Sequence, residues 1–129
     1  MILVDTSVWI EAFRGRRPLE TDLLIRRGDV RTCLPVVQEV LQGITGEGEF
    51  RLARDLMFSL PIVESPLTEP VFREAIALYR TARTVGLTVR SAADCLIAAC
   101  ALRNDLEVLH RDRDFGKLAR ISQLRQRRA

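Results

Sequence analysis

The sequence predicts an α/β fold with a mainly parallel central sheet of about four or five strands flanked by helices. Three observations predict it. Short apolar runs of strand length recur along the chain, segments with apolar residues at helical spacing separate them, and no linker or repeat divides the 129 residues. Strands that alternate with helices are typical of parallel sheets, because a parallel connection needs a crossover. We therefore expect residues 1–129 to form one domain around a single hydrophobic core.

The predicted strands are short apolar runs. They cover residues 1–4, 30–34, 61–63 and 107–110. Asp5 follows the first of them directly, and Asp112 lies just beyond the last. The C-terminal run Leu124–Ala129 is basic, which suits phosphate contacts, although basic tails are commonly just solvated.

The predicted helices have apolar residues at helical spacing and glycine or proline near their ends. They cover residues 6–13, 19–27, 35–44, 50–58, 71–85 and 91–102. Thr6 and Ser7 are expected to begin the first helix, and Pro35 to open the third. A helix thus separates each pair of successive strands, as parallel crossovers require.

Composition and charge narrow the class of protein. Hydrophobic residues make up 47% and charged residues 29% of the chain, as in ordinary globular proteins. No apolar run approaches the roughly 20 residues of a membrane span, and no basic region precedes the first strand. We therefore expect no membrane segment, no signal peptide and a cytoplasmic location. Three cysteines without a CxxC pair are expected to be reduced and buried.

Asp94 stands out in the last predicted helix. It is the only charged residue between Arg90 and Arg103. A helix that is apolar on every face is buried, and a buried carboxylate is costly unless a cation meets it. Two interpretations stay open at this point: Asp94 closes a capping box begun by Ser91, or it has a function.

Several acidic residues are expected at one edge of the sheet. They follow a strand or lie in the first turns of a helix: Asp5, Glu39, Asp94, Asp112 and Asp114. Ligand sites of parallel sheets lie beyond the carboxyl ends of the strands. Clustered carboxylates repel by about 4 kcal/mol per pair at about 4 Å, so a cluster persists only by protonation or by binding cations. Carboxylates without His or Cys ligands select Mg²⁺ or Mn²⁺, which suit phosphodiester hydrolysis.

Each acid also has a purely structural interpretation. Asp5 could cap the first helix, although the two residues after it can supply that cap. Glu39 lies away from the apolar stripe of its helix, as exposed helical glutamates do. Asp112 and Asp114 could form a solvated charge run with the neighbouring arginines. Taken together at one predicted edge, the acids favour a metal site.

The same residues carry a resemblance to PIN domains. The segments that carry it are Ile2–Ser7, Glu39, Ala92–Ala99 and Asp112–Phe115. More narrowly, the chain is similar to the VapC toxins of bacterial toxin–antitoxin pairs. The resemblance implies an endoribonuclease that depends on Mg²⁺, with Mn²⁺ able to substitute. The catalytic acids that it implies are Asp5, Glu39, Asp94 and Asp112.

The resemblance also implies further roles. The metal ligands would be Asp5, Asp94 and Asp112. Asp114 would be an auxiliary acid, and Ser7 would help to position water or metal. The family often has Thr or Ser two residues before the Asp112 position, where this chain has His110. We interpret His110 as a strand-end residue whose ring is satisfied by hydrogen bonds, and leave it out of the catalytic set.

The resemblance implies partners as well. These are an RNA substrate, a cognate VapB-like antitoxin whose C-terminal segment covers the active-site groove, and a second copy of the chain in a homodimer.

Three other functions stay open from the sequence. One is a housekeeping PIN nuclease of RNA maturation or decay. Another is a receiver-like signalling module, which needs a lysine at the end of a late strand, whereas the single lysine, Lys117, is not at a predicted strand end. The third is a degenerate PIN fold that only binds partners, which is disfavoured because no acid of the set is missing.

Overall fold

Four parallel strands form the centre of the fold. The structure, a computed structural model, describes residues 1–15, 25–26 and 28–129. The strands of its sheet are β1 (Ile2–Val4), β2 (Val30–Arg31), β3 (Glu107–His110) and β4 (Gln126–Arg128). Their order is β2-β1-β3-β4, and every neighbouring pair is parallel. The predicted α/β class with a parallel sheet is confirmed.

Helices connect these strands. Within the described residues there are six: α1 (Thr6–Phe13), α2 (Leu34–Gln42), α3 (Glu47–Ser59), α4 (Glu69–Thr84), α5 (Ala92–Arg103) and α6 (Arg113–Arg120). Five of them match predicted helices, with small differences at their ends, and α6 was not predicted. The helix predicted at residues 19–27 lies almost wholly outside the described residues. None of the described helices is both long enough and apolar enough to cross a membrane.

The sheet differs from the prediction in two places. Residues 61–63 form a single parallel bridge, between Thr32 and Ile62, rather than a strand. Pro61 has no backbone N–H to extend the pairing. The basic C-terminal run, for which no strand was predicted, contains β4, whose residue Arg128 pairs with His110 of β3. This strand lacks the apolar pattern from which strands are predicted, because it contributes mainly its backbone to the edge of the sheet and its arginine side chains remain exposed.

The core lies on both faces of the sheet. The side chains of Leu3 and Val4 in β1 and of Val108 and Leu109 in β3 are fully buried. Strands buried on both faces are apolar without alternation, which is why these short runs could be identified from the sequence. The three cysteines are free and buried, as predicted.

The register of the sheet aligns the carboxyl ends of its central strands. Val4 of β1 pairs with Leu109 of β3, and the backbone N of Asp5 donates to the carbonyl O of Leu109 at 2.8 Å. The residues after β1 and β3 therefore leave the sheet side by side. This edge, with the first turns of the adjoining helices, holds the acidic residues.

Candidate metal centre

Asp5 lies directly after β1 and caps α1. Its Oδ2 accepts hydrogen bonds from the backbone N of Ser7 at 3.1 Å and from the Ser7 hydroxyl. The prediction that Thr6 and Ser7 supply the cap is therefore wrong, because the aspartate satisfies the free donors of the first turn. Burial raises the pKa of Asp5, and the bonds from Ser7 oppose that rise.

Ser7 links two segments of this edge. Its hydroxyl oxygen accepts a hydrogen bond from the backbone N of Arg111 at 3.0 Å, while the hydroxyl donates to Asp5. The end of β1 is thereby joined to the segment that follows β3. Ser7 thus orients the Asp5 carboxylate.

Asp94 lies in the first turn of α5 and is only 5% exposed. Its Oδ2 is buried and has no hydrogen-bond partner among the described residues. Ser91 occupies the N-cap position but makes no cap hydrogen bond through its side chain. The capping-box interpretation is therefore wrong. Burial raises the pKa of Asp94 to about 8, with repulsion from Asp5 and then Asp112 adding to the rise.

Asp112 and Asp114 belong to the first turn of α6. Asp112 caps this helix, since its Oδ1 accepts from the backbone N of Asp114 at 2.9 Å. Asp114 is buried, and Arg111 pairs with Glu11, so the interpretation of a solvated charge run is wrong. One carboxylate oxygen each from Asp94, Asp112 and Asp114 lies within 4.8 Å of the others.

Both oxygens of Asp114 have partners. The backbone N of Arg90 donates to Oδ2 at 2.9 Å, and Nζ of Lys117 donates to Oδ1 at 3.0 Å. Burial by itself raises the pKa of Asp114, but these bonds from Arg90 and Lys117 outweigh it and lower the pKa overall. Asp114 is therefore paired with the cationic side chains of Lys117 and Arg90, whereas Asp94 has no cationic partner among the residues that the structure describes.

Glu39 reaches the same edge from α2. Its Oε1 accepts a hydrogen bond from the hydroxyl of Thr6 at 2.9 Å, next to Asp5. Its charge also contributes to the raised pKa of Asp94, after the larger contributions of burial and of the aspartates. Glu39 is half-buried, so it is not an ordinary solvated glutamate of a helix surface. The structure thus brings Asp5, Glu39, Asp94, Asp112 and Asp114 together.

His110 ends β3 and is buried beside the centre. Its Nδ1 accepts from the backbone N of Asp112 at 3.1 Å, and its Nε2 is within hydrogen-bonding distance of Oε1 of Gln126. These bonds assign the neutral tautomer with the proton on Nε2. The interpretation of His110 as a strand-end residue with a satisfied ring is confirmed.

Sequence reasoning missed the residues that hold the acids in place. Thr6, Arg90, Lys117 and Gln126 each form a hydrogen bond to the acids or to His110. Lys117 alone left a local signal, because it follows Asp114 at the i, i+3 spacing that puts two side chains on one helix face. The others meet their partners only through the tertiary fold.

The chain has counterparts among known proteins. The family model of the PIN domain matches residues 2–121 of the chain. The chain therefore belongs to the PIN-domain family. It is 37% identical, over 131 aligned residues and 96% of both chains, to a VapC ribonuclease of Mycobacterium bovis and to Ribonuclease VapC11 of Mycobacterium tuberculosis. This membership excludes the receiver-like interpretation.

Solved structures show the same fold. VapBC2 from Rickettsia felis, bound to a DNA fragment from its promoter, aligns with a TM-score of 0.78 at 17% identity, covering 99% of this chain and 98% of that one. VapBC-1 from nontypeable Haemophilus influenzae aligns with a TM-score of 0.74 at 16% identity, with the same coverage.

Proposed function

We propose that this chain is a Mg²⁺-dependent endoribonuclease, the toxic component of a type II toxin–antitoxin pair. The observation that carries the proposal is Asp94, a buried carboxylate whose Oδ2 has no partner among the described residues and whose neighbours are other carboxylates. Such a group is stable as an anion only when a cation joins it. The similarity to VapC ribonucleases supports RNA as the substrate.

The donors fit a hard divalent cation. The cluster offers carboxylate oxygens, which Mg²⁺ and Mn²⁺ prefer, and His110 is occupied by its own hydrogen bonds. Asp5, Asp94 and Asp112 would hold the ion. When bound, the ion supplies positive charge for the phosphate and lowers the pKa of a water molecule.

The chain's own residues prepare the centre for hydrolysis. Ser7 orients Asp5, and the backbone of Asp114 fixes Asp112, so these carboxylates need little reorganisation. Thr6 holds the Glu39 carboxylate beside Asp5, where it can accept a proton from the attacking water.

Arg90 is the group best placed to receive the RNA backbone. Its backbone N is held by Asp114, whereas its side chain is 63% exposed and its Nε lies 3.9 Å from Asp114 Oδ2. An exposed guanidinium beside a nuclease centre suits a phosphate oxygen, which it can bind through two N–H groups.

The proposal includes two protein partners. One is a VapB-like antitoxin, supported by the VapBC complexes among the structural neighbours. The other is a second copy of the chain, supported by an apolar face of α4 on which Phe72 is 44% and Ile76 59% exposed. A cytoplasmic location suits both the RNA substrate and the three free cysteines, because thiols stay reduced there.

Metal removal tests the proposed chemistry. The purified chain should cleave RNA in the presence of Mg²⁺ or Mn²⁺, and cleavage should stop when EDTA is added, because the carboxylates alone repel the phosphate. Gel electrophoresis of a mixed RNA preparation measures the result, and excess Mg²⁺ added back should restore cleavage. Undiminished cleavage in EDTA would overturn the metal mechanism.

A further inference from the structure

Asp114 differs from Asp94 in one respect that bears on the number of metal ions. Lys117 Nζ lies 3.0 Å from Asp114 Oδ1, and the backbone N of Arg90 lies 2.9 Å from Asp114 Oδ2. Asp94 Oδ2, in contrast, has no partner among the described residues. The two carboxylates contribute oxygens to one trio with Asp112, yet within the part of the chain that the structure describes only Asp114 has cationic partners, Lys117 at 3.0 Å and the more distant Arg90 Nε at 3.9 Å.

The ammonium group of Lys117 is held in place. Besides Asp114, its Nζ donates to the carbonyl O of Thr88 at 2.9 Å. These two bonds join α6 to the segment before α5, the helix that carries Asp94. Lys117 is therefore a fixed charge of the centre rather than a freely moving surface lysine.

A fixed ammonium group restricts where divalent ions can bind. A carboxylate oxygen keeps a second lone pair, so one hydrogen bond does not by itself exclude a metal. The positive charge of Lys117 does exclude a metal, because a divalent ion on Asp114 Oδ1 would lie within about 5 Å of the ammonium group and be repelled by it. Two-metal centres hold their ions about 4 Å apart on shared carboxylates, which this repulsion opposes.

We infer that Lys117 is a positioning residue that occupies the place of a second cation at Asp114, so that the centre binds a single divalent ion. The inference rests on the proposed function, since it concerns the same carboxylates. Beyond that function, it predicts how many metal ions the centre binds and assigns a role to the single lysine of the chain.

Direct Mn²⁺ binding tests this inference without any RNA. The metal-free chain is titrated with Mn²⁺, and free Mn²⁺ is followed by electron paramagnetic resonance, with calorimetry as the second readout. We expect one ion per wild-type chain. Lys117→Met should bind two ions, the first about tenfold more tightly, because a repelling charge is gone. Lys117→Arg keeps the positive charge and should bind one ion per chain, as the wild type does.

The control removes a cation far from the centre. Arg125 pairs with Asp105, which precedes β3 and so lies at the opposite edge of the sheet. Arg125→Met should therefore bind one ion with unchanged affinity. Asp114→Asn should also keep one ion, whereas Asp94→Asn should lose it.

Several results would contradict the inference. These are two ions in the wild type, a Lys117→Met variant indistinguishable from wild type, or loss of the ion in Asp114→Asn. The wild-type and Asp114→Asn measurements decide the matter even if Lys117→Met does not fold. A wild-type chain that binds no Mn²⁺ would instead overturn the proposed metal centre, and the inference with it.

Discussion

Replacing Asp94 with asparagine should stabilise the metal-free protein while reducing RNA cleavage to background. The substitution keeps the shape of the side chain and removes a buried charge that lies among other carboxylates. Without metal, the folded wild-type chain must either carry that charge unpaired or bind a proton that the unfolded chain releases, so we expect the variant to melt about 5 °C higher or more in EDTA. Cleavage should fail because a proposed metal ligand is gone.

The stabilisation should depend on pH. The pKa of Asp94 is raised to about 8 in the folded chain, above its value in the unfolded chain. At a pH between the two pKa values, the folded chain keeps the Asp94 proton that the unfolded chain has lost. Metal-free wild type therefore loses stability as the pH rises from about 4 to about 8. Asp94→Asn lacks this loss. The two proteins should therefore melt similarly near pH 4 and differ most near pH 9.

Thermal denaturation in EDTA at several pH values measures both effects. Asp55→Asn, on the exposed surface of α3, is the matched control and should change neither stability nor cleavage. A capping role for Asp94 predicts the opposite pattern, a lower melting temperature with retained cleavage, because a lost cap costs about 0.5–2 kcal/mol.

Expression of the chain alone should halt bacterial growth. Unopposed cleavage of cellular RNA stops growth, and Asp5→Ala should abolish the effect, because Asp5 is a proposed metal ligand fixed by Ser7. Asp55→Ala, which removes an exposed carboxylate of α3, should remain toxic. Growth curves after induction, with the amount of soluble protein checked in each culture, give the measurement.

Co-expression of a cognate VapB-like antitoxin should restore growth. An antitoxin arginine inserted into the acidic edge can pair with Asp5 or Asp94 and compete with the metal for the same oxygens. Normal growth with soluble wild-type chain and no antitoxin would contradict the toxin assignment and favour the housekeeping nuclease.

The sequence predicted the site best where position along a strand determines position in space. Asp5 and Asp112 follow parallel strands, and parallel strands end at one edge, so their proximity could be expected. Asp94 was identified because a charge in an otherwise apolar helix is rare. Whether it served as a cap or had a function could not be decided, because that depends on whether the side chain bonds the backbone locally.

The remaining features depend on contacts between distant segments. Glu39 bonds Thr6, and Asp114 bonds the backbone of Arg90, across separations that no local pattern records. Strand β4 escaped prediction because its exposed arginines resemble a solvated tail. Its pairing with β3 nevertheless places Gln126 against His110 and so completes the surroundings of the centre.

We propose that the acidic cluster at the carboxyl ends of β1 and β3 binds the metal that cleavage requires. Crystals soaked in Mn²⁺ and measured at the manganese absorption edge test it most directly. We expect one anomalous peak among the carboxylates of Asp5, Asp94 and Asp112. If protein that cleaves RNA with Mn²⁺ showed no peak beside these carboxylates, the proposed metal site would be wrong.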